Sequence, residues 1–130
     1  MNLLLDTHIA LWALNDNSRL PAAARALIAD SGNAVAVSVA SLWEIAIKHP
    51  LDRRGGAMPV SGGQALELFE RAGYRILPVA ASHAVAVETL PPIHHDPFDR
   101  LLIAQALTEP LRLVTVDRLL ARYSDTVILV

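Results

Sequence analysis

The chain has 130 residues, a mass of 14.0 kDa and a formal net charge of −2, with 53% hydrophobic and 18% charged residues. This balance excludes a disordered chain, and the lack of cysteine excludes disulfides, thiolate metal sites and cysteine nucleophiles. The length predicts one domain spanning residues 1–130, and no apolar run is long enough to cross a membrane.

The first residues, MNLLLD, lack the basic segment that opens a secretory signal peptide. The absence of cysteine is compatible with a reducing compartment. We therefore expect a cytoplasmic protein with no membrane association. The net charge is close to zero, so charge alone does not indicate a nucleic-acid partner.

Short apolar runs alternate with helical patterns along the chain. The runs predict strands at residues 3–5, 34–37, 75–79, 113–116 and 127–130. Helical patterns lie at residues 21–30, 38–48, 64–72, 82–90 and 96–107. The strand runs are uninterrupted, which is typical of strands buried on both faces. Strands separated by helices predict an α/β fold whose central parallel sheet of four to five strands is flanked by helices.

Acidic residues stand close to the ends of the predicted strands. Asp6 follows the first strand, Asp117 follows the fourth, and Asp99 begins the helix before the fourth. Glu44 lies in the helix after the second strand and joins them if that helix tilts over the edge. Because open parallel sheets bind ligands beyond their carboxyl ends, we expect these four carboxylates to converge.

Grouped carboxylates need a counter-charge, since two of them about 4 Å apart repel by up to about 4 kcal/mol at an effective dielectric near 20. A hard divalent cation such as Mg²⁺ removes this repulsion and bridges to phosphate. It also acidifies a bound water and stabilises displacement at phosphorus. The pattern therefore indicates metal-dependent hydrolysis of phosphodiester bonds.

Helix capping is an alternative interpretation of each acid taken singly. Asp6 and Asp117 could cap the helices that follow them. The segment from Ser41 to Glu44 fits a capping box, and Asp96 with Asp99 fits another around Pro97. Capping does not explain why an apolar-rich chain places so many of its acids at one end of one sheet.

Four segments together resemble the PIN-domain ribonucleases, and specifically the VapC-like toxins of bacterial type II toxin–antitoxin systems. They are LLLDTH (3–8), SVASLWEIAIK (38–48), HHDPFDRLLIAQA (94–106) and LVTVD (113–117). The second and third segments are the more specific. The resemblance covers essentially the whole chain, and the segments occur in the family's order.

The resemblance implies an α/β/α PIN fold and an endoribonuclease that depends on Mg²⁺ or Mn²⁺. It implies that Asp6, Glu44, Asp99 and Asp117 form the acidic cluster, with Asp6 and Asp99 as the most direct metal ligands. Asp96 is then a helix cap and supporting acid, and Thr7 and Thr115 orient carboxylates or a phosphate. The implied partners are an RNA substrate, a VapB-like antitoxin and a second copy in a homodimer.

Other polar residues have weaker interpretations. His94 and His95 are interpreted as loop residues, although one could contact substrate. Arg53 and Arg54 lie in a glycine-containing loop and could meet RNA phosphates or simply be solvated. The chain also lacks the glycine and lysine that often follow Lys48 in the family. This difference affects the expected contacts with substrate and leaves the four acids unchanged.

Two other functions remain open at this point. In the first, the acids are only caps and the chain is a non-catalytic PIN-fold binding module. In the second, Asp6 accepts a phosphoryl group, as in receiver domains or haloacid-dehalogenase-like phosphatases. The sequence disfavours the second function because Asp6-Thr7-His8 lacks the second aspartate of the DxDxT pattern, and no acidic pair precedes Asp6.

Overall fold

A computed structural model describes residues 1–52 and 58–130, and its centre is a parallel sheet. The five strands are β1 Asn2–Leu5, β2 Ala34–Ser38, β3 Arg75–Leu77, β4 Arg112–Thr115 and β5 Ile128–Leu129. Their spatial order is β3-β2-β1-β4-β5, and every pairing is parallel. The predicted α/β class and strand number are confirmed. Arg53 and Arg54 of the predicted loop lie outside the described residues.

Helices connect the strands and cover both faces of the sheet. They are α1 Thr7–Leu14, α2 Ala22–Ala29, α3 Val39–Lys48, α4 Gly62–Arg71, α5 Ala81–Ala86, α6 Pro97–Thr108 and α7 Arg118–Ala121. Two 3₁₀ turns, His49–Leu51 and Val87–Thr89, extend α3 and α5. The predicted helix at 82–90 is therefore a short α-helix that tightens into a 3₁₀ turn.

Helix α1 was not among the five helices that the sequence pattern predicts. Its sequence, THIALWAL, is apolar almost throughout and has no distinct polar face. Ile9, Ala10 and Leu11 are consecutive and all buried, so this helix lacks the one-sided pattern on which periodicity depends. Helix α7 was also missed as a helical pattern, since four residues are too few to show a period.

The first strand is buried on both faces, as its uninterrupted apolar run predicts. Leu3, Leu4 and Leu5 have no solvent exposure. Leu3 and Leu5 pack in the core beneath α1, α2 and α4, whereas Leu4 packs in the core beneath α6. This alternation follows from the two-residue period of a strand. It makes β1 the centre of an α/β/α sandwich.

One predicted helix end has a clear backbone cause. Gly73 has a φ of +81°, which is unfavourable for residues with a side chain, and it follows the last residues of α4. In the part of the chain that the structure describes, no helix has the length and apolar character needed to cross a membrane.

The strand order determines where the acids meet. The chain runs from β1 outward through β2 to β3, and then returns to place β4 on the other side of β1. Connections therefore leave β1 and β4 toward opposite sides, which opens a crevice at the carboxyl ends of these two strands. Asp6 and Asp117 follow those strands, so neighbouring strands present them to the same crevice.

Candidate functional site

A cleft of about 410 Å³ lies at the carboxyl edge of the sheet. It contains all four predicted carboxylates together with the supporting acid, and its lining is Asp6, His8, Trp12, Glu44, Lys48, Asp96, Asp99, Val116 and Asp117. The tertiary structure therefore brings together acids that stand up to 111 positions apart in the sequence (6 to 117).

The side chain of Asp6 is held by the neighbouring strand β4 and makes no cap hydrogen bond to the helix it precedes. Its N–H donates to the Val114 carbonyl at 3.0 Å, and its Oδ2 accepts from the Thr115 hydroxyl at 2.6 Å. Thr115 in turn accepts from the N–H of Asp117 at 3.0 Å. The capping interpretation of Asp6 is wrong, because its side chain makes no cap hydrogen bond to α1. The carboxylate is free to face the cleft.

Burial raises the pKa of Asp6 above its usual range. The Thr115 hydrogen bond and the nearby His8 oppose this shift, and Glu44 adds to it. The ionised form of Asp6 is therefore costly in the isolated protein. A cation in the cleft would reduce this cost.

Glu44 lies in the interior of α3, so the predicted capping box from Ser41 to Glu44 is wrong. Ser38 is the actual N-cap, and its hydroxyl accepts from the N–H of Ala40. Glu44 is only 4% exposed. Its Oε1 accepts from the Thr7 hydroxyl at 2.8 Å, as the predicted orienting function of Thr7 requires.

Asp96 caps α6 and directs Asp99 into the cleft. Its Oδ1 accepts from the N–H groups of Phe98 at 2.9 Å and Asp99 at 3.0 Å, which confirms the predicted cap. The reciprocal half of the predicted capping box is wrong, since the Asp96 N–H donates to Nδ1 of His94. Asp99 is therefore not used as a capping side chain.

Asp99 is a second carboxyl group of the cleft with a raised pKa. Burial, followed by the charges of Asp6 and Asp96, raises the pKa of Asp99 to about 7. His94 opposes this shift and Glu44 adds to it. This shift is the expected result of placing several carboxylates in one half-buried space.

Asp117 combines the two interpretations that the sequence left open. One oxygen, Oδ1, accepts from the N–H of Leu119 at 2.9 Å and caps α7. The other, Oδ2, lies 2.7 Å from Nε2 of His94 at the cleft. A helix cap is therefore compatible with a site residue here, because a carboxylate has two oxygens.

Lys48 is the last residue of the segment SVASLWEIAIK, and the sequence pattern predicted no function for it. It is the only lysine in the chain. Its Nζ lies 2.6 Å from Oε2 of Glu44 and 5.6 Å from the centre of the Phe98 ring. Burial alone would lower the pKa of Lys48, but Glu44, Asp96 and Asp99 outweigh it and raise that pKa. The i, i+4 spacing from Glu44 is the signal that could have found this pair.

His94 also belongs to the site, although the sequence pattern indicated a loop residue. Its Nε2 lies within 3.3 Å of Oδ2 of Asp99 as well as close to Asp117. His8 and Trp12 form another wall of the cleft, with ring centres 5.9 Å apart. The sequence offered only a weak signal here, the position of His8 two residues after Asp6, since these contacts depend on how α1 and the loop before α6 meet the sheet.

The donor chemistry of the cleft fits a hard divalent cation. Its carboxylates supply oxygen ligands, which Mg²⁺ and Mn²⁺ prefer to nitrogen or sulfur. The raised pKa values of Asp6 and Asp99 reflect negative charge and burial that a cation would compensate. Asp6, Glu44, Asp99 and Asp117 are the residues that would hold such an ion.

Comparisons with known proteins agree on one family. The family model described as the PIN domain matches residues 3–125. The chain is 37% identical over 117 residues to Ribonuclease VapC22 of Mycobacterium tuberculosis, an alignment that covers 88% of this chain and 86% of that protein.

Solved structures show the same fold. The crystal structure of VapBC2 from Rickettsia felis, bound to a promoter DNA fragment, matches with a TM-score of 0.70 at 20% identity, over 100% of this chain and 98% of that chain. The crystal structure of FitAcB from Neisseria gonorrhoeae matches with a TM-score of 0.63 at 19% identity, over 98% and 96% of the two chains.

Proposed function

The chain belongs to the PIN-domain family and is VapC-like, and from this premise we propose that it is a metal-dependent endoribonuclease, the toxin of a type II toxin–antitoxin pair. The whole chain, residues 1–130, would act as one catalytic domain in the cytoplasm. Its substrate class is RNA, and its reaction is the hydrolysis of phosphodiester bonds.

The observation that carries this proposal is the convergence of Asp6, Glu44, Asp99 and Asp117 in one cleft. Of these four, only Asp117 makes a cap hydrogen bond, so capping does not account for the positions of Asp6, Glu44 and Asp99. Asp6 and Glu44 are also buried, which is unfavourable for a carboxylate unless a partner compensates its charge, as Lys48 does for Glu44. This arrangement favours the nuclease over a binding module in which the acids are only caps.

Each acid has a distinct proposed function. Asp6 and Asp99 would bind Mg²⁺ or Mn²⁺ directly, and Glu44 and Asp117 would complete the site in part through metal-bound water. The bound ion would supply an acidified water and stabilise charge on the phosphate oxygens. Thr115, by donating to Oδ2 of Asp6, orients the other oxygen of Asp6 toward the cleft.

Lys48 is the proposed contact for the RNA phosphate. Its ammonium group stands at the cleft beside Glu44 and is partly exposed, so it can reach a ligand there. Because its pKa is raised, Lys48 stays protonated and acts as a fixed positive charge, not as a proton donor. Phosphate contacts of this kind position a nucleic acid without reading its sequence.

Cleavage of an RNA pool tests the proposal. We expect wild-type protein to produce discrete fragments with Mg²⁺ and none when EDTA is added. The D6N variant should lose this cleavage, because an amide binds a divalent cation far more weakly than a carboxylate.

The D125N variant is the matched control. Asp125 is exposed and precedes β5, at the opposite edge of the sheet from the cleft. It should keep full activity. Cleavage by D6N at the wild-type rate would contradict the site assignment. Failure of the wild-type protein to bind Mg²⁺ in calorimetry would favour the binding module.

An apolar groove beside the cleft fits the proposed antitoxin. It has a volume of about 540 Å³, and its lining is Val39, Leu42, Trp43, Ala46, His49, Pro50, Ser61, Gly62, Gly63 and Leu66. Trp43, which lines the groove, is 59% exposed and packs edge-on against Phe98, the residue before Asp99. We propose that an amphipathic segment of a VapB-like antitoxin occupies this groove and covers the approach to the acids.

The L66D variant tests this docking site. Leu66 lines the groove from α4, away from the acids, so a charge there should abolish capture of the cognate antitoxin and leave RNA cleavage intact. The control is V85D, which adds the same charge at an exposed position of α5, a helix that packs against α6. Equal loss of capture in both variants would contradict a specific groove.

Exposed apolar side chains also support the proposed homodimer. Leu51, Leu107 and Leu129 are large and more than 40% exposed, and they leave apolar area that a second copy of the chain could cover. Light scattering at high protein concentration should give twice 14.0 kDa. A mass of one chain under these conditions would contradict the dimer.

A further inference from the structure

His94 is held rigidly at the edge of the cleft. Its backbone N–H donates to the Tyr123 hydroxyl at 2.8 Å, and its carbonyl accepts from Arg100 at 3.2 Å. Its side chain is only 13% exposed. The imidazole ring therefore has little freedom to turn, and its two nitrogens face different partners.

The contacts of the ring determine which nitrogen carries the proton. Nδ1 accepts a hydrogen bond from the backbone N–H of Asp96 at 3.0 Å. A backbone N–H is always a donor, so Nδ1 must present a lone pair. In a neutral imidazole the proton then belongs to Nε2.

The Nε2 proton points at Asp117, and the carboxylate of Asp99 lies close by. Nε2 lies 2.7 Å from Oδ2 of Asp117 and 3.3 Å from Oδ2 of Asp99. Asp117 has its other oxygen committed to the cap of α7. With both oxygens bonded, the Asp117 carboxylate is fixed in one orientation.

The same three side chains could be interpreted as a metal site, since ligand atoms of His94, Asp99 and Asp117 lie within 4.8 Å of one another. A metal at Nε2 would require the proton to move to Nδ1. Two N–H groups, from Nδ1 and from Asp96, would then face each other across 3.0 Å. The hydrogen-bond pattern is therefore incompatible with ligation through Nε2 in this ring orientation.

We propose that His94 is a positioning residue which donates from Nε2 to Asp117, beside Asp99, and is not itself a metal ligand. The inference deepens the proposed nuclease function, since these two carboxylates belong to its metal site. By holding Asp117 between the imidazole and the cap of α7, His94 presents this acid to the cation with its orientation already set. Donors of this kind, next to the ligands, commonly tune metal affinity and activity.

Nitrogen NMR of the histidine side chains tests the tautomer directly. In metal-free protein at about pH 8, where an ordinary imidazole is neutral, long-range ¹H–¹⁵N correlations should identify His94 as the Nε2–H form. The spectrum of an H94Q variant assigns its signals among the five histidines. Addition of Mg²⁺ alone should leave the proton on Nε2. A proton on Nδ1, before or after Mg²⁺, would overturn the proposal.

Two nearly isosteric variants separate the two hydrogen bonds. In H94N the side-chain oxygen can replace Nδ1 and accept from Asp96, but no group reaches Asp117. In H94Q the longer amide can reach Asp117 and donate, but the acceptor for Asp96 is lost. We expect H94N to weaken Mg²⁺ binding by about 10-fold or more, and H94Q to restore most of the wild-type affinity.

Calorimetry measures the Mg²⁺ affinity of each variant, and cleavage kinetics measure its kcat and KM. H94N should lower kcat with little change in the KM for RNA, because His94 contacts the acids and not the RNA. Equal losses in H94N and H94Q, or wild-type Mg²⁺ affinity in both, would overturn the proposal. The tautomer is measured without metal or RNA. If the nuclease proposal is wrong, the wild-type protein will not cleave RNA, but the NMR result for His94 can still be interpreted.

Discussion

Replacing Asp99 by asparagine should abolish RNA cleavage and at the same time make the metal-free protein more stable. The loss of activity should be on the order of 10²–10³-fold or greater, because the change removes a proposed ligand of the cation that stabilises transition-state charge. The gain in stability follows from the raised pKa of Asp99, which reaches about 7 through burial and the charges of Asp6 and Asp96. At pH 8 the folded protein must ionise this group in an unfavourable place.

The size of the stability gain can be bounded. The difference between the ordinary value of 3.8 and about 7 corresponds to a few kcal/mol at the standard conversion of about 1.4 kcal/mol per pH unit. Water in the open cleft screens the charges, so we expect a gain in the free energy of unfolding of about 2 kcal/mol at pH 8. Urea denaturation without metal measures it.

The combination of the two effects is what distinguishes a site residue from a structural residue. A variant that loses activity because it is misfolded loses stability as well, whereas D99N should move the two quantities in opposite directions. D125N changes an exposed acid to an amide and should alter neither. Wild-type cleavage by D99N, or a marked loss of its stability, would refute the assignment.

The metal-free protein should become less stable as the pH rises from about 4 to about 7. Asp99 has a folded-state pKa near 7 and an unfolded-state pKa near 3.8, so between these values the folded state binds more protons. The stabilising contribution is complete below about pH 4 and is lost as the pH passes through about 7. The raised pKa of Asp6 acts in the same direction.

Mg²⁺ should reverse this loss. The cation binds the ionised carboxylates, so protons and metal compete, and affinity should rise with pH until Asp99 is fully ionised. At a free Mg²⁺ concentration about 100 times Kd, the expected stabilisation is about 2.7 kcal/mol. At about pH 5 the same concentration should stabilise the protein much less.

Unfolding curves at several pH values, with and without Mg²⁺, measure both effects. The difference between wild type and D99N isolates Asp99 from other titrating groups, and this difference should grow with pH and level off above about 7. A difference that stays constant across the pH range would mean that Asp99 does not carry the perturbed charge. A Mg²⁺ effect equal at about pH 5 and about pH 8 would contradict competition between metal and protons.

The sequence by itself determined the local features of this protein. Uninterrupted apolar runs identified the strands, since strands buried on both faces, such as Leu3 to Leu5, need no polar face. Asp96 before Pro97 identified a helix start, because the cap bonds reach only two and three residues ahead. Gly73 marked a helix end through its own backbone conformation. Each of these features depends on residues close together in the chain.

The convergence of Asp6, Glu44, Asp99 and Asp117 was expected from a general property of parallel sheets, and the family resemblance named the same four positions. What the sequence could not determine was the role of each acid in its helix. Capping boxes were a reasonable local interpretation of Glu44 and Asp99, but both side chains line the cleft instead. The groups that act on them there, such as Thr7 on Glu44 and Asp6 on Asp99, are distant in the sequence, so a local pattern could not reveal them.

Only the tertiary structure decided which other residues enter the site. The strand order places β1 between β2 and β4, and this order brings Thr115 to Asp6 across 109 positions. It also places His94 against Asp117, 23 positions away. Such contacts depend on how whole helices and strands pack together. The residues next to His94 or Thr115 in the sequence do not determine that packing. The physical reason is that capping and turns are short-range, whereas the packing that assembles the cleft depends on the whole sheet.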